Sequence, residues 1–353
     1  MTSPYPKYHL AEYPHQFRVR YPNKTILRYY NKRNERWEKL SGQQVADRCL
    51  AAAKGLAYLQ LQPGDRVGIY SPNRVGCIAT ELGLFMMRAV SVPLYATSTP
   101  DQVEFIVQDA GVETMFVGGQ FQYNNAYEVQ LRGGCLRRLV IFDPEVVLAP
   151  GDTTSMYYEE FIRRGDAVAY ENKATVTASQ ALATDLAVII YTSGTTGRSK
   201  GVMLHHSNFI KQIYAHQLKY PFITNRDVSM CFLPLNHIFE KAWSYLCLSM
   251  GCQVAVLSDP KRILEALPMV RPSMMSNVPR FWEKVYIGVQ DKINRSPKPV
   301  RYVLRHAIQV GDRYFFDFVN EGKKAPLYLK LLHKIYDKTL FAKVKKAIGI
   351  QRG

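Results

Sequence analysis

No stretch of the 353 residues approaches about 18 consecutive apolar positions, so a membrane-spanning helix is excluded on length. The opening, MTSPYPKYHLAEYPHQ, has no apolar core and so lacks the build of a secretory signal. Cysteine is scarce. The six (Cys49, Cys77, Cys135, Cys231, Cys247, Cys252) form no CxxC pair and show no zinc-ligand spacing with histidine. Their apolar settings predict reduced core thiols in a cytoplasmic protein. Internal repeats and low-complexity segments are absent, which argues against a solenoid or a disordered tail. Acidic residues are few against basic ones, 29 to 46, for a formal net charge of +17. Such a balance favours polyanionic partners. No nucleic-acid-binding motif accompanies the charge, so nucleic acid is not an expected partner. Much of the excess lies in GKKAPLYLKLLHKIYDKTLFAKVKKAIG. That run reads first as the solvated basic face of one or two amphipathic helices. Its second reading is peripheral contact with an anionic membrane, at the inner face.

What is present fits a globular protein: 47% apolar and 21% charged residues, in a chain long enough for two or three domains. The recurring pattern is strand then helix. DRVGIYSPN reads as turn, short apolar strand and turn, and RVGCIATELGLFMMRA follows with helical spacing. VSVPLYATSTP is the next strand. DQVEFIVQDAG is a helix ending at Gly111, and VETMFVGG and LRRLVIF are further strands. After a polar interval at 143–184, DLAVIIYTSG is a continuous apolar strand. HHSNFIKQIYAHQL reads as helix, DVSMCFLPLNH as a strand ending at Pro234, GCQVAVLSDP as strand and KRILEALPMV as helix. PSMMSNVP reads as strand and RFWEKVYIGVQDKI as helix. From about Asn294 the pattern is mostly helical. The alternation predicts an α/β fold with parallel sheets covered by helices. In such sheets ligands bind beyond the carboxyl ends of the strands, which singles out the loops at 192–201 and 234–243.

The first of these loops, inside YTSGTTGRSKG, offers Gly194, Gly197 and Gly201 for tight turns and close backbone approach. Thr192, Ser193, Thr195, Thr196 and Ser199 supply hydroxyls, Lys200 supplies a cation, and successive backbone N–H groups can nest an anion. The Walker pattern fails, because Ser199 stands where the second glycine is required. The dinucleotide pattern GxGxxG fails at Thr192, and the hydrolase elbow GxSxG fails at Tyr191. A polar surface loop is the plainer reading of so short a run. Eleven ordered positions directly after a buried-looking strand argue for a phosphate cradle instead.

YTSGTTGRSKGV resembles the phosphate-binding motif of the AMP-forming adenylating enzymes, which include acyl-CoA synthetases, luciferases and nonribosomal peptide adenylation domains. The resemblance runs over nearly the whole chain. LQPGDRVGIYSPN is similar to the family's first strand, LPLNHIFEKAW to its acyl-pocket segment, and NVPRFWEKV to a later pocket strand and helix. The long insertion from 286 to about 348 resembles the long-chain fatty acid–CoA ligase branch. One departure is Ser199, where the family often has proline.

The resemblance implies a fold of two packed, mostly parallel βαβ-type sheets. The first subdomain would span 66–222 and the second 1–65 plus 223–353. It implies ATP, Mg²⁺ and coenzyme A as cofactors and a fatty acid as substrate, activated to acyl-AMP with release of pyrophosphate. Thr192, Ser193, Gly194, Thr195, Thr196, Gly197 and Lys200 would bind the phosphates, with Thr192 also either a ligand of Mg²⁺ or, equally, a strand-end hydroxyl that caps the loop. His237 would border the reacting carboxylate and α-phosphate as the catalytic candidate. Its plain alternative is a satisfied strand-end histidine. Phe239, Glu240, Trp243, Val278 and Pro279 would join His237 in the acyl pocket, although aromatics at this spacing are more often core. His205 and His206 read as helix-start residues. The family's adenine wall, its β-barrel portion and its carboxy-terminal domain with the catalytic lysine have no counterpart in the sequence. The expectation is an amino-terminal part of a ligase that is inactive alone. The alternative is a non-catalytic module that binds nucleotide, fatty acid or a membrane surface.

Overall fold

The computed structural model describes residues 9–31, 34–192 and 199–347. The chain forms two compact units, Met1–Lys261 and Arg262–Gly353.

The first unit opens with helix α1 (Tyr13–Arg20), strands β1 (Thr25–Asn31) and β2 (Arg36–Ser41) and helix α2 (Gly42–Tyr58). Strand and helix then alternate through β3 (Arg66–Tyr70), α3 (Val75–Met86), β4 (Val90–Leu94), α4 (Pro100–Ala110), β5 (Thr114–Val117), α5 (Gln120–Leu131) and β6 (Arg138–Ile141). The polar interval supplies β7 (Ser155–Tyr157), α6 (Tyr158–Arg164) and α7 (Val168–Ser179). After it come β8 (Leu186–Thr192), β9 (Lys200–His205), α8 (His206–Lys219), β10 (Val228–Cys231), α9 (Ile238–Ser249) and β11 (Gln253–Val256).

Local chemistry accounts for many of these boundaries. Ser41 caps α2 and Thr99 caps α4, each in a reciprocal capping box with the glutamine three residues on. Helix α4 stops at Gly111, whose φ of +67 suits a left-handed cap that a side chain would disfavour. The central strands are buried on both faces, as strands covered by helices on each side must be.

Two sheets result. Seven strands lie in the order β7-β6-β5-β3-β4-β8-β9, all parallel except β9, which runs antiparallel to β8. Four lie in the order β10-β11-β1-β2, where only the β1–β2 pair is antiparallel. The larger sheet changes direction between β3 and β5: from β3 the chain runs to β4 on one side, then it crosses back to β5 and runs on to β6 on the other side. This is a topological switch point, the place where open α/β sheets bind ligands.

Two sequence expectations need correction. Lys200–His205 is a strand, whereas the sequence pattern carried the loop directly into a helix. As the outermost strand of its sheet it shows the mostly exposed, irregular burial that conceals strand periodicity. PSMMSNVP is not a strand; only an isolated bridge at Met274 appears there. The prolines at both ends of that run withhold N–H groups that a ladder would need.

The second unit contains α10 (Ile263–Val270), α11 (Pro279–Asn294), α12 (Lys298–Tyr314), α13 (Leu327–Tyr336) and α14 (Ala342–Ala347). Among the described residues no helix is long and apolar enough to cross a membrane.

Candidate active site

Strand β8 delivers Thr192 to the carboxyl edge of the seven-stranded sheet. Lys200, the first residue of β9, pairs directly opposite it. Both side chains are exposed. The ends of the glycine-rich run are thus held side by side at the edge where the switch point opens. Ser193, Gly194, Thr195, Thr196 and Gly197 lie outside the described residues. The strand end beneath them is fixed by Tyr191, whose hydroxyl donates to Asp109 on α4 at 2.5 Å and whose ring meets Phe105 edge-on. Burial and the neighbouring Asp109 carboxylate push the Tyr191 hydroxyl pKa up, so it stays a donor.

The second loop leaves β10 at the carboxyl end of that strand. His237 is the N-cap of α9, and its Nδ1 accepts the Phe239 N–H at 3.2 Å. An acceptor at Nδ1 fixes the tautomer with the proton on Nε2, leaving that N–H as the outward-facing donor. His237, Ile238 and Phe239 are exposed. Glu240 is fully buried: one carboxylate oxygen accepts the Leu233 N–H and the other the Ser244 hydroxyl. Trp243 is half-buried and donates its indole N–H to Ser229 at 2.9 Å. In the second unit Val278 is the N-cap of α11 and Pro279 its first residue. Pro279 lines an open hollow of about 760 Å³ with Asn277, Trp282, Glu283, Tyr286 and Ile287. His205 is the N-cap of α8. His206 begins that helix, so the pair stands at a helix start; His205 is exposed and His206 buried.

Sequence reasoning passed over three residues beside the second loop: Asn73, Glu81 and Lys241. Asn73 follows β3 at the switch point and bonds the 233–235 backbone. Glu81 and Lys241 form a buried ion pair. The signal available was a lone glutamate inside the apolar helix run CIATELGLF, where only a partnered carboxylate is tolerated. Asn236 is buried too. Its Nδ2 has no partner among the described residues, and it borders a small cavity of about 20 Å³ shared with Ser71, Leu94 and Lys241.

Among the described residues, no three His, Cys, Asp or Glu side chains gather as a metal site. Thr192 offers one exposed neutral oxygen at its strand end. That donor type suits Mg²⁺, and alone it does not make a site.

These features define an α/β protein with a glycine- and hydroxyl-rich loop at the carboxyl edge of a mainly parallel sheet. Residues 15–315 match the family described as AMP-binding enzyme, and the chain belongs to that family. It is 29% identical over 316 residues to the long-chain-fatty-acid–CoA ligase FadD15 of Mycobacterium bovis, covering 89% of this chain and 50% of that protein. It is 29% identical over 305 residues to the peroxisomal long chain acyl-CoA synthetase 6 of Arabidopsis thaliana, covering 85% and 41% respectively. The chain therefore spans about half the length of the curated relatives it matches. The crystal structure of a long-chain-fatty-acid-CoA ligase (FadD1) from Archaeoglobus fulgidus superposes with a TM-score of 0.65 at 20% identity. The match covers 83% of this chain and 55% of that one and establishes the shared fold.

Proposed function

We propose that this chain supplies the phosphate-binding loop and part of the acyl site of an AMP-forming long-chain fatty acid–CoA ligase. The observation that carries the reading is the hairpin pairing of Thr192 with Lys200. It brings both ends of YTSGTTGRSKG together at the carboxyl edge of the sheet in a chain of the AMP-binding family. The names of its relatives support a long-chain acyl substrate and coenzyme A.

A carboxylate resists nucleophiles because it is negatively charged and lacks a leaving group. In the proposed reaction the fatty carboxylate attacks the α-phosphorus of ATP and pyrophosphate leaves. The coenzyme A thiol then attacks the acyl carbon and AMP leaves. The protein's part is to position reactants and stabilise charge. Ser193 to Gly197 and Lys200 would hold the departing pyrophosphate, and Thr192 would give its hydroxyl to Mg²⁺. The His237 Nε2–H would face the acyl carboxylate, with Phe239 and Trp243 toward the acyl chain. Glu240 would act indirectly, by shaping the loop through Leu233.

We propose further that the two sheets are two subdomains, the first spanning 66–222. The strand distribution supports this, since β3 to β9 build one sheet and β1, β2, β10 and β11 the other. Peripheral contact with anionic membrane is favoured by the second unit, where nineteen Lys and Arg face seven Asp and Glu.

The test is fatty-acid-dependent exchange of pyrophosphate into ATP by the protein that contains this chain. Lys200→Ala should suppress exchange while leaving thermal stability unchanged, because Lys200 is exposed. Exchange at the wild-type rate in that variant would overturn the loop assignment.

A further inference from the structure

The segment joining β10 to α9 has no regular structure, yet its backbone is held at several points by buried side chains. Asn73 acts as a two-pronged clamp. Its Nδ2 donates to the Leu233 carbonyl at 2.8 Å and its Oδ1 accepts the Leu235 N–H at 2.9 Å. The Leu233 N–H goes to Glu240 and the His237 N–H to the Pro234 carbonyl. One turn into α9, the Lys241 N–H bonds the His237 carbonyl at 3.1 Å. The side chain of that same lysine runs inward, 2.6 and 2.7 Å from the two carboxylate oxygens of Glu81 on α3. Ser91 on β4 and Tyr245 on α9 each donate a hydroxyl to that carboxylate at 2.6 Å. Asn73, Glu81 and Lys241 are all buried.

Stability alone is a poor reason for this arrangement. A buried ion pair loses so much hydration that apolar residues of similar volume often serve as well or better. What charge and hydrogen-bond direction add is a single permitted geometry. The turn that needs fixing is otherwise weakly held, since Ile238 and Phe239 are exposed and His237 projects beside them.

We propose that Asn73, Glu81 and Lys241 are positioning residues that pin the 233–237 turn to the switch point of the larger sheet and so set the orientation of the His237 ring. The functional consequence rests on the reading of His237 as an acyl-site residue; the mechanical one does not. Asn73 holds the turn from its amino-terminal side. The Glu81–Lys241 pair holds it from one helical turn beyond, through the Lys241 N–H bond to His237.

The experiment reads the imidazole nitrogens of His237 by ¹⁵N NMR in the 353-residue chain, with His306 and His333 as internal references. The wild type should show an unprotonated Nδ1 and a protonated Nε2. Asn73→Asp, which keeps the acceptor and loses the donor, and the paired change Glu81→Gln with Lys241→Met should each move the Nδ1 signal toward the tautomer average. The paired change keeps an acceptor oxygen for one of the Ser91 and Tyr245 hydroxyls and gives the other an amide N–H to accept, so the fold should survive it. A core variant of comparable stability loss, Val103→Ala on α4, should leave the signal in place. An unchanged His237 signal in both test variants, or an equal shift in Val103→Ala, overturns the proposal. Calorimetry with a non-hydrolysable acyl-adenylate on the same variants separates the two readings. Binding weakened about tenfold together with the shift supports both. A shift with unaltered binding upholds the positioning role and removes His237 from the site.

Discussion

The hydroxyl of Tyr191, one residue before the phosphate-loop sequence, donates to the Asp109 carboxylate on α4 at 2.5 Å. The Tyr191 ring also lies against Gly201 on the returning strand: a Cβ there would sit 3.1 Å from the ring and 3.0 Å from the Ile189 side chain. The loop therefore leaves and re-enters the sheet around one anchored tyrosine, and Gly201 is glycine because that approach leaves little room. Tyr191→Phe keeps the ring and loses the bond. It should cost about 1 kcal/mol, read as a lower urea midpoint at unchanged slope. A midpoint equal to the wild type would show that the bond contributes nothing.

His237 has two separable duties. As N-cap it accepts the Phe239 N–H through Nδ1, and as site residue it would present Nε2–H. His237→Ala should lose about 1 kcal/mol of stability together with adenylation. His237→Asn retains a capping acceptor, so it should recover most of the stability and none of the activity. Activity returning with the cap would assign the ring a purely structural part.

Acid stability should depend on His206. Its Nδ1 accepts the Leu10 N–H at 3.3 Å, Phe85 and His9 rings pack edge-on against it, and it is buried. Burial is the main force taking its pKa down to about 3. His9 and His205 push the same way and Asp185 opposes them. The neutral ring is the native form, whereas the unfolded chain takes up a proton near the ordinary value of 6.5. The contribution is thus complete above that value and is lost as pH falls from there toward 3. Between pH 7.5 and pH 5 the loss should be about 2 kcal/mol. His206→Asn, which keeps an acceptor for Leu10, should flatten the profile over that range. An equally steep profile in the variant would exclude His206 as the source.

The second unit combines its basic excess with exposed Tyr302, Phe316, Leu327, Tyr328 and Leu331. Vesicles rich in phosphatidylserine should carry the chain upward in flotation at low salt and release it as salt shortens the Debye length from ~10 Å at 0.1 M to ~3 Å at 1 M. Failure to float even at low salt would remove the membrane reading.

Much of the fold was legible because its signals are local. The strand–helix alternation, the Gly111 stop and the phosphate-loop motif each lie within a short window. Strand β9 escaped because an outer strand with one half-solvated face shows no clean alternation. The Pro272–Val278 run misled because apolar content outweighed its flanking prolines. The proposed site residues Thr192, Lys200 and His237 were read from motif order. Asn73, Glu81 and Lys241 were not, since what each does depends on a partner about 160 residues away.

The sequence by itself determined the α/β class, much of the strand–helix alternation and the loop motif, because short-range periodicity and glycine placement act within a few residues of the chain. Only the tertiary structure decided that Thr192 faces Lys200, that the switch point lies between β3 and β5, and that Glu81 meets Lys241 in the core. Those pairings follow from strand order and burial. A lone charge in the interior is tolerated only where the fold brings a distant opposite charge within hydrogen-bonding reach.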